Sequence, residues 1–254
     1  MFIANRKKNN KAILIFNHYK NQNAKTGNWG YLSGVDDDQK IMNQILKDDC
    51  EIVSRVDVID IIQLLLQLKV KWQDETIDHL HFHFSGHGIF NQTISAHTPN
   101  VDARNTIESD TPIGECLVGN NGNDGLVSIL DVQKMLSEFQ AQKITMILDC
   151  CRSLDRPKGP TLQIKLAPLP KVDNENWRKI FTIYASCLTQ PAYDARFCKE
   201  LNQVLKATDT GRIPVNKIAR LVNESWDRKG CNKQYCIDSK VEVGSNWDDI
   251  YFPF

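Results

Sequence analysis

The chain lacks any apolar run approaching the roughly 20 residues that a membrane-spanning helix needs, and it lacks net charge. Lys and Arg total 31 and Asp and Glu total 31, so nothing in its global electrostatics attracts nucleic acid or an anionic membrane surface. Any polar partner has to be recognised locally. The first residues, Met1 to Lys8, are basic without the apolar stretch of a secretory signal, which leads to the expectation of a cytoplasmic protein. Eight cysteines are present but none forms a CxxC pair or a zinc-type spacing; they are expected to be reduced thiols rather than a disulfide framework. In that compartment the two glycosylation sequons, at Asn91 and Asn223, are read as chance.

What the chain does have is a regular alternation of apolar runs with helical spacing. Lys11 to Asn17 reads as a buried strand, and Asp38 to Lys47 carries Ile41, Ile45 and Leu46 at helical intervals. Cys50 to Val56 is a second strand. Asp57 is placed to cap a helix whose Ile61, Ile62, Leu65 and Leu68 share one face. Residues 78–84, 143–149 and 180–185 supply three further strands. Ser128 with Asp131 forms a weak capping box for a helix through Leu136 and Phe139. Helices follow near 195–207 and 214–227, and a last extended piece lies near 247–254. Residues 91–123 and 154–177 are polar, Pro-containing stretches that read as long loops, the first with a short hairpin around Glu115 to Val118. This order predicts an α/β domain over 11–254 behind a short tail (1–10), its mainly parallel sheet covered by helices on both faces.

Two of those strands stop on reactive side chains. One runs through His79, His81 and His83 into Ser85-Gly86-His87-Gly88; the other runs from Ile144 into Asp149-Cys150-Cys151-Arg152-Ser153. Parallel sheets bind ligands beyond the carboxyl ends of their strands, so His87 and Cys151 can meet although 64 positions separate them. A thiol attacks a carbonyl well only when its proton is removed, and imidazole is the usual base. Glycines on either side of His87 allow a sharp turn, with the N–H of Gly88 and that of Cys151 as candidate oxyanion donors. The period of two puts Asp149 on the same face as Cys151 and turns Cys150 into the core. A lone Cys or His is most often structural; the strand-end placement of both favours catalysis. By contrast, His79, His81 and His83 lack a spaced carboxylate or cysteine to complete a metal set and read as core histidines, so no metal site is expected. The run Asp36-Asp37-Asp38 suits either calcium or the positive end of a helix dipole, the latter favoured for Asp37 and Asp38. Cys50, Cys116, Cys187, Cys198, Cys231 and Cys236 read as small apolar packing groups.

The segments Phe84 to Gly88 and Leu148 to Arg152 resemble the catalytic strands of the caspase-like superfamily. The Asp-x-Cys-Arg form is nearest to paracaspases, and Ser-Gly-His-Gly is shared with metacaspases. Ile15-Phe16-Asn17, Leu32 to Asp36, Tyr184 to Cys187 and Ala192 to Asp194 match further pieces in order, so the resemblance covers about residues 11–205. Two features depart from it: caspases separate His from Cys by roughly 50 residues, which an enlarged loop here would explain, and they carry Gly where this chain has Ser153.

The resemblance implies a caspase-like fold, with a large-subunit-like part over 11–153, a loop at 154–177 and a small-subunit-like part over 178–254. It implies a cysteine endopeptidase with His87 as base and Cys151 as nucleophile. Paracaspases and metacaspases line the pocket for the residue before the scissile bond with acidic side chains, and the matching positions here are Asp36, Asp149 and Asp194. Three carboxylates would select Arg or Lys, arginine gaining from its bidentate fork. No organic cofactor is implied; calcium dependence and a homodimer are both compatible with it. The partners are protein or peptide substrates, with no nucleic acid or membrane. Arg156, Lys158, Lys165, Lys171 and Arg178, in or just beyond the loop behind Cys151, are candidate self-cleavage points. The alternative is a catalytically silent caspase-like module that binds or regulates other proteins, although such a module would be expected to have lost His87 or Cys151.

Overall fold

The computed structural model describes residues 9–20, 29–91, 114–151, 153–154, 179–186, 195–229, 236–238, 247 and 250–253. In chain order they form β1 (Asn10–Phe16), α1 (Val35–Leu46), β2 (Glu51–Val56), α2 (Ile61–Lys71), β3 (Ile77–Gly86), β4 (Gly88–Asn91), β5 (Gly114–Val118) and β6 (Leu126–Ser128). Then come α3 (Ile129–Ser137), β7 (Ala141–Cys150), β8 (Ser153–Leu154), β9 (Ile180–Tyr184), α4 (Arg196–Lys206), β10 (Ile213–Pro214), α5 (Ile218–Arg228), β11 (Ile237–Asp238) and β12 (Tyr251–Phe252).

The central sheet has the order β11-β9-β7-β3-β1-β2. Its pairs are parallel except β11 against β9. Every residue of β1 is buried, as expected of a strand covered on both faces. Ala12, Leu14 and Phe16 pack with Met42 and Leu46 of α1, Phe197 and Leu201 of α4 and Val222 and Trp226 of α5. Ile13 and Ile15 face the opposite layer, where Leu65 of α2 and Val132 and Leu136 of α3 meet Phe82, Phe84, Met146 and Leu148. The α/β architecture read from the alternation is therefore the observed one. Beyond the ends of β3 and β7 lies a second sheet, ordered β6-β5-β4-β8, and β10 pairs with β12 apart from both.

Two local readings change. Helix α1 starts at Val35, three residues before Asp38, so all three consecutive aspartates occupy its first turn. The cap of α2 is Asp60, whose carboxylate accepts from the N–H of Gln63 at 2.8 Å. Asp57 instead sits in the left-handed region at φ +52°, a conformation aspartate tolerates, and its carboxylate points back to accept from the N–H of His18 at 2.8 Å. Ser128 does cap α3, accepting from the N–H of Leu130 at 3.1 Å.

Candidate active site at the carboxyl ends of β3 and β7

Adjacent parallel strands bring the two predicted reactive side chains to one place. In the β3–β7 ladder Ser85 stands opposite Asp149 and Gly86 opposite Cys150. Past the break, β4 pairs with β8 in parallel, with Ile89 opposite Ser153. The offset is the same on both sides, so His87 and Cys151 fall opposite one another across neighbouring strands, which run about 4.8 Å apart. Gly88 explains how the chains approach so closely. A Cβ on it would lie 2.5 Å from the Cys151 carbonyl oxygen and 2.8 Å from the Cys150 sulfur. Cys150 is buried in the α2/α3 layer, whereas Cys151 is partly exposed and in no disulfide.

His87 is held from several directions. Its Nε2 lies 2.7 Å from the carbonyl oxygen of Gly30; a carbonyl only accepts, so Nε2 carries the proton and Nδ1 is left as the basic nitrogen. The His87 N–H donates to the Tyr19 hydroxyl at 3.0 Å, and the His87 carbonyl accepts from the N–H of Val118 at 3.0 Å. Tyr19 in turn donates to the Val118 carbonyl at 2.5 Å. Burial raises the pKa of the Tyr19 phenol, which keeps it protonated as that donor. The imidazole also lies between two rings, with centroid distances of 4.6 Å to Tyr19 and 5.2 Å to Trp29. Tyr19 reaches this position from a left-handed backbone, φ +61°, a conformation rare for a bulky residue. Sequence reasoning passed over Tyr19, since a single aromatic after a strand carries no motif.

The three aspartates at the start of α1 go to three different partners. Asp36 pairs with His18 Nε2 at 2.9 Å, and the other ring nitrogen of His18 lies 3.3 Å from Asp57. Asp37 pairs with Lys199 of α4 at 2.8 Å. Only Asp38 turns inward, where it accepts from the Ser85 hydroxyl at 2.7 Å. There it joins Asp149 and Cys198, and one donor atom from each of the three lies within 4.8 Å of the others. The Cys198 sulfur is 3.7 Å from Asp149 and 3.9 Å from His83 Nε2. Burial first, then the charges of Asp38 and Asp149, hold the Cys198 thiol well above its ordinary pKa. Cys198 is thus no simple apolar filler. Asp149 lies on the sheet face opposite to Cys150, as the strand period requires; Asp36 does not belong to its cluster, and Asp194 lies outside the described residues.

The histidine row on β3 divides among core contacts. His79 Nε2 meets the Thr145 hydroxyl at 2.8 Å, His81 packs 5.2 Å from the Phe252 ring, and His83 packs 5.5 Å from Phe16. Burial, reinforced by the neighbouring histidines, holds His81 far below its ordinary pKa, and burial alone takes His83 down to about 3. Both imidazoles are neutral.

A parallel α/β sheet carrying a thiol opposite an oriented imidazole at its carboxyl edge defines the class of protein. The family of the peptidase C14 caspase domain matches residues 9–242, and the chain belongs to that family. Its fold is similar to the crystal structure of protein GSU0716 from Geobacter sulfurreducens, with a TM-score of 0.60, 15% identity, and coverage of 91% of this chain and 92% of that one. No curated protein matches the chain. No helix among the described residues is long and apolar enough to cross a membrane.

Proposed function

We propose that this protein is a cysteine endopeptidase that cuts after Arg or Lys, with Cys151 as nucleophile and His87 as base. The observation that carries this reading is the shared register offset that sets Cys151 opposite a histidine whose Nε2–H is committed to Gly30. In the proposed cycle Nδ1 of His87 takes the thiol proton and the thiolate attacks the scissile carbonyl carbon. The N–H groups of Gly88 and Cys151 stabilise the oxyanion. His87 then protonates the leaving amine, and water, deprotonated by the same imidazole, hydrolyses the thioester.

Substrate choice follows from charge. Two buried carboxylates sharing one cluster repel unless a cation or a proton joins them, and a guanidinium or ammonium from the substrate supplies that cation. The carboxylate that α1 offers beside Asp149 is that of Asp38, while Asp36 is engaged by His18. We therefore assign the pocket to Asp149 and Asp38, with Asp194 as the third carboxylate carried over from the family resemblance. Peptide hydrolysis by single variants tests the nucleophile: Cys151→Ala should abolish turnover while Cys150→Ala keeps most of it. Full activity in Cys151→Ala would overturn the assignment.

A further inference from the structure

His87 can hold the proton it takes from Cys151 only as far as its positive form is stabilised, and the group that orients it is a neutral one. Its Nε2–H meets the Gly30 carbonyl at 2.7 Å, where the triad of a serine protease carries the full negative charge of an aspartate. The residue next to Gly30 supplies a different kind of support. Trp29 sets its ring 5.2 Å from the imidazole, and Tyr19 sets another 4.6 Å away. Both centroid distances fall inside the roughly 6 Å over which an aromatic face attracts a cation.

The two rings are held in different ways. Tyr19 is 1% exposed and is fixed by its hydroxyl, which bonds to the Val118 carbonyl and the His87 N–H. Trp29 is partly exposed, yet its Nε1–H is buried without a hydrogen-bond partner. A buried donor left unsatisfied costs stability. No polar bond of the indole offsets that cost, so its ring contacts must, and the contact it makes at the candidate site is with His87.

We propose that Tyr19 and Trp29 form an aromatic clamp that stabilises the imidazolium of His87, which makes Trp29 a positioning residue for the proton that leaves Cys151. When the S–H proton moves to Nδ1, the bonding pair stays on sulfur as the thiolate. The positive charge then spreads over a ring that lies against two π faces, each negative at its centre. Among the described residues, the titratable groups that face this ring from the packed strands are the Tyr19 phenol, kept protonated by burial, and the Cys151 thiol. Cys150 turns into the opposite layer, and the Lys20 ammonium lies over the Tyr31 ring, 5.5 Å from its centroid. The clamp rests on the dyad reading of Cys151 and His87, and is independent of the acidic pocket.

The test titrates His87 by nuclear magnetic resonance in the full chain carrying Cys151→Ala, its imidazole signal being the one that His87→Gln removes. Adding Trp29→Leu keeps apolar bulk without a π face; it should lower the His87 midpoint by about half to one pH unit, a three- to tenfold loss of proton affinity, and Trp29→Phe should lower it less. Fluorinated tryptophans placed at position 29 by nonsense suppression keep the shape of the indole should Trp29→Leu misfold. Each added fluorine draws charge from the π face and should lower the midpoint further. A midpoint that Trp29→Leu leaves unmoved or raises, or one that fluorination leaves unmoved, would overturn the proposal. Alkylation of Cys151 by iodoacetamide in the otherwise wild-type chain, followed by mass spectrometry, separates the two readings. A rate unchanged by His87→Gln refutes the dyad and the clamp with it, whereas a rate that falls without His87, beside a midpoint indifferent to Trp29, refutes the clamp alone.

Discussion

The decisive residues work through backbone groups as much as through side chains. Tyr19 joins the N–H of His87 to the carbonyl of Val118 through one hydroxyl. Removing it leaves both groups without that bond in a buried place, at a cost of about 1–3 kcal/mol. Tyr19→Phe should lower the urea midpoint accordingly and reduce kcat more than it raises KM, because the histidine loses its support rather than the substrate its pocket. Unchanged stability and turnover would show that the hydroxyl is not a positioning group. The aspartates separate in the same way. Losing one member of a desolvated charge pair costs about 2–5 kcal/mol, so Asp38→Asn and Asp149→Asn should each lower kcat/KM on an Arg substrate by more than tenfold, and Asp36→Asn by less than threefold. The reverse order would return the pocket to Asp36. Sequence alone could not make this distinction. Three identical carboxylates in one helical turn differ only in which way each points, and that depends on His18, Lys199 and Ser85, which come from other elements.

At the scale of elements, the candidate active-site edge depends on how closely two strands can continue past their ends. Gly88 is the point of contact: the Cβ of Gly88→Ala would lie 2.5 Å from the Cys151 carbonyl oxygen, so the backbone of β4 or of the Cys151 turn has to move. Displacements of about 1 Å at a reacting centre cost about a hundredfold in rate. Hydrolysis should fall at least tenfold, and wild-type turnover in Gly88→Ala would mean that the two turns do not define the site. Strand ends are where the sequence was most legible. The long apolar runs of β1, β3 and β7 mark a covered parallel sheet, and the reactive residues follow those runs directly. Turn conformation was less legible: the preference of aspartate for helix starts applies equally to Asp57 and Asp60, and only the left-handed backbone at Asp57 sends the cap to Asp60.

For the molecule as a whole, the buried histidines couple the fold to pH. His81 and His83 stay neutral in the native state well below the pH at which they charge in the unfolded chain, near 6.5. Below that value the unfolded state binds more protons, down to about 3 for His83, so stability rises with pH and is lost as pH falls. Each histidine contributes a slope of about 1.4 kcal/mol per pH unit. Urea unfolding at pH 7 and pH 5 should show a loss of several kcal/mol, and His81→Leu should flatten the slope; a stability independent of pH over that interval would contradict the burial of both rings. The candidate self-cleavage segment, residues 154–177, is almost entirely outside the described residues. We expect wild-type protein to yield fragments ending at Arg156, Lys158, Lys165, Lys171 or Arg178, absent from Cys151→Ala, by mass spectrometry; a chain that stays intact while turning over peptide does not need this cleavage. The central claim, a thiol protease directed by paired carboxylates, is tested most directly by kcat/KM across a peptide library fixed at the residue before the scissile bond. Arg and Lys substrates should be cleaved, Arg foremost, with Asp substrates at least a hundredfold slower and all cleavage lost in Cys151→Ala. Preference for Asp, or no Cys151-dependent cleavage of any member, would contradict it.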